Sequence, residues 1–362
     1  MHWLLIIIGT ITLSISVSNP FYKLLIEKKI KLKILSKLNI AEHRVPQDGR
    51  MKIKTSNREI DVRVSILPTV HGEKVVLRLF GSGEKTLTLT NLGFPENKLK
   101  VFRNWISKPY GMVIISGPTG SGKSTTLYAA LQEIQSETIN ITTVEDPVEY
   151  QLPMIRQSEV KKGSITFVDG IKSLMRQDPD VIMLGEIRDE ETARIAIQSS
   201  LTGHLVMSTV HTNSAIGAIT RLRDMGIESF LLASSLKTVI SQRLIRRLCG
   251  ECRSETKISQ MASEVLGFNK DQKVFSSIGC SACDESGFKG RVAIAESVQI
   301  NTELKNMIHD EASEQDIHSQ VFKSIQTIDE IGTELIVQGL SLIHISEPTR
   351  RTPISYAVFC LK

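Results

Sequence analysis

The stretch GMVIISGPTGSGKST, residues 111–125, decides the fold. Its first six residues form an unbroken apolar run ending in Ser116, the pattern of a strand buried on both faces. The next eight, Gly117, Pro118, Thr119, Gly120, Ser121, Gly122, Lys123 and Ser124, satisfy the spacing G-x-x-x-x-G-K-[ST], and Thr125 continues it. Residues 125–132 then read as a helix. A strand, a glycine-rich turn and a helix in that order make a phosphate cradle: backbone N–H groups wrap the anion and the helix dipole favours it. Lys123 is placed to reach the β- and γ-phosphates of a nucleotide, and Ser124 to hold Mg²⁺.

Outward from this point, strands alternate with helices over residues 92–248, which predicts a parallel sheet with crossover helices. Two more buried-strand runs end in acids. Residues 139–144 are followed by Glu145, Asp146 and Pro147, which puts two carboxylates at the crevice. Val181–Leu184 is followed by Gly185 and Glu186, a carboxylate able to orient or deprotonate water. A further strand over 204–210 ends at His211, beside which a γ-phosphate could be sensed. Asp178 and Asp180 precede their strand and read as surface or capping residues.

Upstream, residues 51–80 alternate apolar and polar positions, with turns expected near Ser56-Asn57 and His71-Gly72. This predicts a small antiparallel sheet preceded by a Lys-rich amphipathic helix over 21–38, with Leu24, Leu25, Ile34, Leu35 and Leu38 on its apolar side. Gly81, Ser82 and Gly83 read as a linker. Downstream, Cys249, Cys252, Cys280 and Cys283 form two C-x-x-C pairs, a spacing that suits tetrahedral Zn²⁺ with no open position. Cys360 stands alone. Residues 296–340 read as helical.

Composition bounds the function. The chain has 362 residues, 41% hydrophobic and 23% charged, as in a folded protein of two or three domains. Lys and Arg number 44 against 39 Asp and Glu, a net charge of +5. Residues 23–37 hold six Lys and one Glu, so the rest of the chain is balanced. Aromatic residues are 5%, which leaves little to stack nucleic-acid bases on. The apolar run from Trp3 to Val17 is too short to span a membrane. Residues 342–362 show neither helical nor strand periodicity. Neither end is expected to carry function.

The set GPTGSGKST, TVEDPVEY, RQDPDVIMLGEIRDEET, TGHLVMSTVHTNSAIGAITRLRDMG and QRLIRRLCGEC resembles the ATPases of type II secretion and type IV pilus systems, over about residues 30–341. The resemblance implies an α/β fold with a RecA-like P-loop NTPase core. A small α+β domain would precede it and a tetracysteine zinc insertion would interrupt it. The domain bounds it implies are a partial α+β domain over 21–90, the core over 91–248, a zinc subdomain over 249–291 and helices over 292–341. Residues 1–20 and 342–362 fall outside that pattern.

By the same resemblance Glu186 is the catalytic carboxylate, Glu145 belongs to the metal and water shell, and His211, with His204 nearby, lies by the γ-phosphate. Arg63 and Arg78, in the segment IDVRVSILPTVHGEKVVLRLF, match arginines that reach a neighbouring subunit's nucleotide. The implied cofactors are ATP, Mg²⁺ and Zn²⁺, and the implied partners are five further copies in a homohexameric ring and an inner-membrane platform. No nucleic acid is expected, and the implied location is cytoplasmic, peripheral at the inner membrane. The wording of TNSAIGAITRLRDMGIESFLLASS favours the secretion branch over the pilus branch. A DNA-translocating ring is the remaining alternative.

Overall fold

The computed structural model describes residues 29–55, 58–70, 72–80, 88–160, 165–258, 272–341 and 356–360. The chain divides into two compact units, Met1–Thr86 with Pro348–Lys362, and Leu87–Glu347. The N-terminal apolar run, the turn at Ser56-Asn57 and the linker at 81–83 lie outside the described residues, among which no helix is long and apolar enough to cross a membrane.

In the first unit a short helix α1 (residues 29–35) precedes three antiparallel strands, β1 (Gln47–Thr55), β2 (Arg58–Thr69) and β3 (Gly72–Phe80). The alternation read from the sequence holds: Met51, Val62, Val64, Ile66 and Val75 face inward, and Leu32 and Leu38 pack on them. The helix departs from its expected face. Ile34 and Leu35 are more than half exposed, whereas Lys33 is fully buried. The reason is Glu73, itself buried on β3, which accepts from Lys33 Nζ at 2.9 Å and also pairs with Lys29. Lys33 Nζ donates further to Glu42 O at 2.6 Å. A paired charge thus overrides apolar patterning and pins α1 to the sheet. The far end of the chain departs too, because Tyr356–Cys360 forms a strand antiparallel to β3. An edge ladder uses backbone groups and requires no side-chain periodicity.

The second unit is built on a seven-stranded sheet. Its strands are β4 (Gly111–Ser116), β5 (Ile141–Glu145), β6 (Arg156–Glu159), β7 (Val181–Leu184), β8 (Leu205–Val210), β9 (Leu236–Leu248) and β12 (Phe288–Gln299). The spatial order is β12-β9-β4-β8-β7-β5-β6, parallel throughout except for β12. Every residue of β4, β5, β7 and β8 is buried. That is why β4 and β7 read as near-continuous apolar runs, as strands of parallel sheets covered on both faces do, while β5 and β8 also bury Thr142, Thr143, Ser208 and Thr209.

The helices are α2 (Glu96–Ile106), α3 (Lys123–Ile134), α4 (Phe167–Leu174), α5 (Glu190–Leu201), α6 (Ala215–Asp224) and α7 (Ser229–Ser235), then α8 (Thr302–His309), α9 (Glu314–Val321) and α10 (Ile328–Val337). The predicted helical stretch from 296 starts later, since β12 runs to Gln299. A two-stranded ribbon, β10 (Arg253–Lys257) with β11 (Lys273–Ser277), lies between the Cys pairs.

The Lys33–Glu73 pair generates a test. Burial alone would raise the Glu73 carboxyl, but hydrogen bonds from Lys29, Lys33 and His43 hold it at about 2. A depressed carboxyl contributes stability above its unfolded value of 4.5 and loses it as pH falls toward 2. Glu73→Gln is expected to cost about 3–5 kcal/mol by leaving Lys33 buried without a countercharge. In thermal unfolding it should also remove part of the acid-induced loss below pH 4.5. An unchanged melting profile would contradict the pair's role.

Candidate functional site

The crevice forms where β4, β8, β7 and β5 end. In the parallel ladders Ser116 stands opposite Val210, Leu184 opposite Ser208, and Val144 opposite Leu184. The residues that follow each strand therefore leave the sheet at one edge: the loop at 117–122, His211, Gly185-Glu186 and Asp146.

The loop is shaped for phosphate. Gly117 and Gly122 have φ of +145° and +85°, which side-chain-bearing residues rarely adopt, and a Cβ on Gly117 would lie 2.4 Å from Gln242 O. Helix α3 starts at Gly122 with no side-chain cap, whereas α5 and α6 are capped by Asp189 and Ser214. Its first N–H groups are thus left for an anion. Lys123 Nζ donates to Gly117 O at 2.8 Å and Pro118 O at 3.2 Å. Desolvation lowers Lys123 to about 8, although Glu186 opposes that shift. Ser124 and Thr125 sit half-buried in the same first turn.

Lys123, Glu186 and His211 come together as the sequence predicts. His211 Nδ1 lies 3.4 Å from Lys123 Nζ, and its Nε2 lies 3.4 Å from Glu186 Oε2. Burial, then the charge of Lys123, hold His211 below its ordinary value. The neutral ring can accept from Lys123 at Nδ1 while donating to Glu186 from Nε2. The loop that carries His211 is anchored from behind. Arg243 donates to Asn213 O at 3.0 Å, and buried Glu296 accepts from Ala215 N at 2.8 Å.

His204 is elsewhere. It precedes β8 and lies 2.9 Å through Nδ1 from Ser199 O, at the opposite end of the strand, about 20 Å of chain from His211. Glu145 is also displaced from its expected place: it lies beneath the crevice, only 4% exposed, and both its oxygens are taken by protein donors. Asp146, the next residue, is the acid open to the crevice. Arg188 bridges it, at 3.6 Å, to Glu186.

Arg188 and Gln242 are residues of this crevice that spacing alone missed. Gln242 is buried on β9 and braces the loop from below, donating to Ser121 O at 2.7 Å and accepting from Thr126 Oγ1 at 2.8 Å. The available signal was a polar residue inside the strand pattern of QRLIRRLCGEC. Arg63 and Arg78 belong to the first unit. They stand opposite each other on β2 and β3, and Arg50 of β1 faces Arg63.

The four cysteines form a second site. Their ligand atoms lie within 4.8 Å of one another. Cys249–Cys280, Cys252–Cys283 and Cys280–Cys283 have Sγ–Sγ separations of 3.9, 3.7 and 3.7 Å. Four sulfurs bound at 2.3 Å in a tetrahedron lie about 3.8 Å apart, so the donor set and its spacing fit Zn²⁺. Cys280 N and Gly287 N each donate to Cys283 Sγ at 3.2 Å, an arrangement that favours thiolate.

Comparison with known proteins agrees with this geometry. A family model described as "Type II/IV secretion system protein" matches residues 14–349. Type II secretion system protein E of Aeromonas hydrophila is 47% identical over 324 residues, 88% of this chain and 65% of that protein. Type II secretion system ATPase E of Vibrio cholerae is 46% identical over 86% of this chain and 62% of that protein. The chain thus spans a little under two thirds of the length of these relatives. Among solved structures, the pilus retraction motor PilT with bound ADP superposes with a TM-score of 0.63 at 25% identity, over 93% of this chain and 82% of that one. The Legionella pneumophila ATPase DotB superposes at 0.61 with 21% identity, over 83% of this chain and 76% of that one, a likeness of fold.

Two measurements follow. Affinity for ATP should be greatest below pH 8, where Lys123 is charged, and should weaken by up to about tenfold per pH unit above it, because bound phosphates raise the Lys123 value. Titration with a fluorescent ATP analogue that stayed flat to about pH 9.5 would contradict this. Metal analysis of reduced protein should find zinc at the single Cys cluster described, lost in Cys249→Ser or Cys283→Ser, with nucleotide binding retained.

Proposed function

We propose that this chain, which belongs to the type II/IV secretion system protein family, hydrolyses ATP to drive a type II secretion machine. What carries the reading is the contact line Lys123–His211–Glu186 at the mouth of a glycine-lined cradle. Lys123 and the α3 N-terminus bind the triphosphate. Glu186, reached by His211 and Arg188, orients the attacking water and takes its proton. His211, neutral and in contact with both Lys123 and Glu186, reports the γ-phosphate to the acid. Mg²⁺ would be held by Ser124, with Asp146 and Glu186 the open carboxylates nearby, and would supply charge neutralisation on the phosphates.

Arg63 and Arg78 act in trans, on a neighbouring copy's nucleotide in a homohexameric ring. The zinc site is structural, closing a subdomain over 249–291 that is too small to hold itself together. The ring works in the cytoplasm against an inner-membrane platform to assemble a pseudopilus. The names of the relatives support the secretion branch over the pilus branch.

Glu186→Gln should bind ATP with unchanged affinity while turnover falls by a factor of about 100 or more. Lys123→Ala should weaken binding itself. Near-wild-type turnover in Glu186→Gln would overturn the assignment. Specific activity should rise with protein concentration as rings form. Alanine at Arg63 or Arg78 should lower turnover with little change in affinity. Mixing that variant with Glu186→Gln should restore activity in mixed rings, and no rescue in confirmed mixed rings would place the arginines outside the neighbour's site.

A further inference from the structure

A row of polar side chains crosses the sheet at its crevice end. Ser116 of β4 pairs with Ser241 of β9, and Ser241 pairs with Glu296 of β12. All three are buried, Glu296 with 4% of its surface exposed. The next row on the same face is Ile114, Val239 and Val298, which pack in the core with residues of α6. A carboxylate beside such a layer gives up its hydration. Burial accordingly raises the Glu296 carboxyl, against the opposing effect of the Ala215 and Ile328 backbone N–H groups and of His318 and Arg243. Ala215 and Ile328 are the first residues of α6 and α10, so one buried acid serves the start of two helices.

The row meets the segment that follows His211. Ser116 Oγ donates to Ser214 O at 3.4 Å, and Glu296 Oε1 accepts from Ala215 N at 2.8 Å. Arg243 of β9 donates to Asn213 O at 3.0 Å. Three strands thus hold residues 213–215. The Ala215 N–H is one of the donors that a helix leaves unpaired in its first turn, and a carboxylate there is favoured by the helix dipole.

The same strand holds the phosphate loop by its other face. Gln242, between Ser241 and Arg243, donates to Ser121 O at 2.7 Å. Successive side chains of a strand point to opposite faces, so the two supports are separate. Together they set the two sides of the 3.4 Å contact between Lys123 and His211. Loss of Glu296 releases the His211 side and leaves the phosphate side as it was.

We propose that Glu296 is a positioning residue that, with Arg243 and Ser116, fixes residues 213–215 and so holds His211 against Lys123 and Glu186. Its effect on turnover rests on the ATPase reading, whereas its hydrogen bond to Ala215 can be tested without it.

Glu296→Leu in the full chain removes the acceptor and suits the layer of Ile114, Val239 and Val298. Turnover should fall about ten- to a hundredfold, the cost of a reacting group misplaced by up to about 1 Å. Affinity for ATP and for a non-hydrolysable analogue should stay within about twofold, because Lys123 and Gln242 are untouched. Glu296→Gln keeps an oxygen for Ala215 N and should recover most of the turnover. In a His211→Ala background Glu296→Leu should cost no more than about twofold further, since it acts through His211. Should Glu296→Leu not fold, Arg243→Gln, at a half-buried position, carries the turnover, affinity and background tests in its place.

Amide hydrogen exchange in the nucleotide-free protein gives the readout independent of hydrolysis. Exchange at Ala215 should speed up in Glu296→Leu, while β4 and β8 amides stay protected. Wild-type turnover in the folded variant would overturn the proposal, as would unchanged exchange at Ala215. Affinity lost in step with turnover, full additivity with His211→Ala, or a Glu296→Gln no better than Glu296→Leu would overturn it too. A wild-type chain that hydrolyses no ATP would sink the ATPase reading instead and leave the exchange test standing.

Discussion

The parallel register of β4, β8, β7 and β5 is the constraint on which the crevice depends. Parallel strands bonded in this register end at a common edge, so four loops distant in sequence leave the sheet side by side. A slip of one residue would turn each strand's side chains to the opposite face. The register is held by burial on both faces: Met112 and Ile114 pack into one layer of core, and Val113 and Ile115 into the other. Burial of those alternate residues, each worth about 1.5–3 kcal/mol when fully removed from water, fixes where Lys123, His211 and Glu186 stand.

Charge is arranged along that edge with alternating sign. Lys123, neutral His211, Glu186, Arg188 and Asp146 follow one another at contact distance. Desolvation makes the Lys123 charge costly in the cradle, which lowers it to about 8, although Glu186 opposes the shift. The same groups are supported from below, by Gln242 under the loop and by Tyr128 with Glu145 under the acids. The outer residues are thereby free to respond to ligand while the inner ones keep them in place.

Two small parts of the chain are held by polar staples. The first unit has a modest apolar cluster, and the buried Lys33–Glu73 pair adds a fixed point between helix and sheet. Among the described residues between the cysteine pairs lies a two-stranded ribbon, and the four sulfurs converge beside it. Breaking the Lys33–Glu73 pair is costly, because it leaves a buried charge without its countercharge.

The phosphate loop, the parallel core and the cysteine quartet were legible in the sequence because each is written in short-range spacing. Buried strands are apolar runs, the loop needs its glycines at fixed intervals, and paired thiols need only two residues between them. Glu186 and His211 were found by the same logic, as polar residues placed just after buried strands.

Glu145 satisfies that rule as well, yet it turns inward, because Tyr128, Thr143 and Gln157 converge on it from an adjacent helix and strands. Lys33 is buried against periodicity because Glu73, forty residues away, faces it. His204 and His211 flank one strand and so end at opposite edges of the sheet. The sequence by itself determined which elements form and which residues end them. Only the tertiary structure decided which polar side chains open to the crevice and which are consumed beneath it, because that depends on hydrogen-bond partners brought together by the sheet from distant parts of the chain.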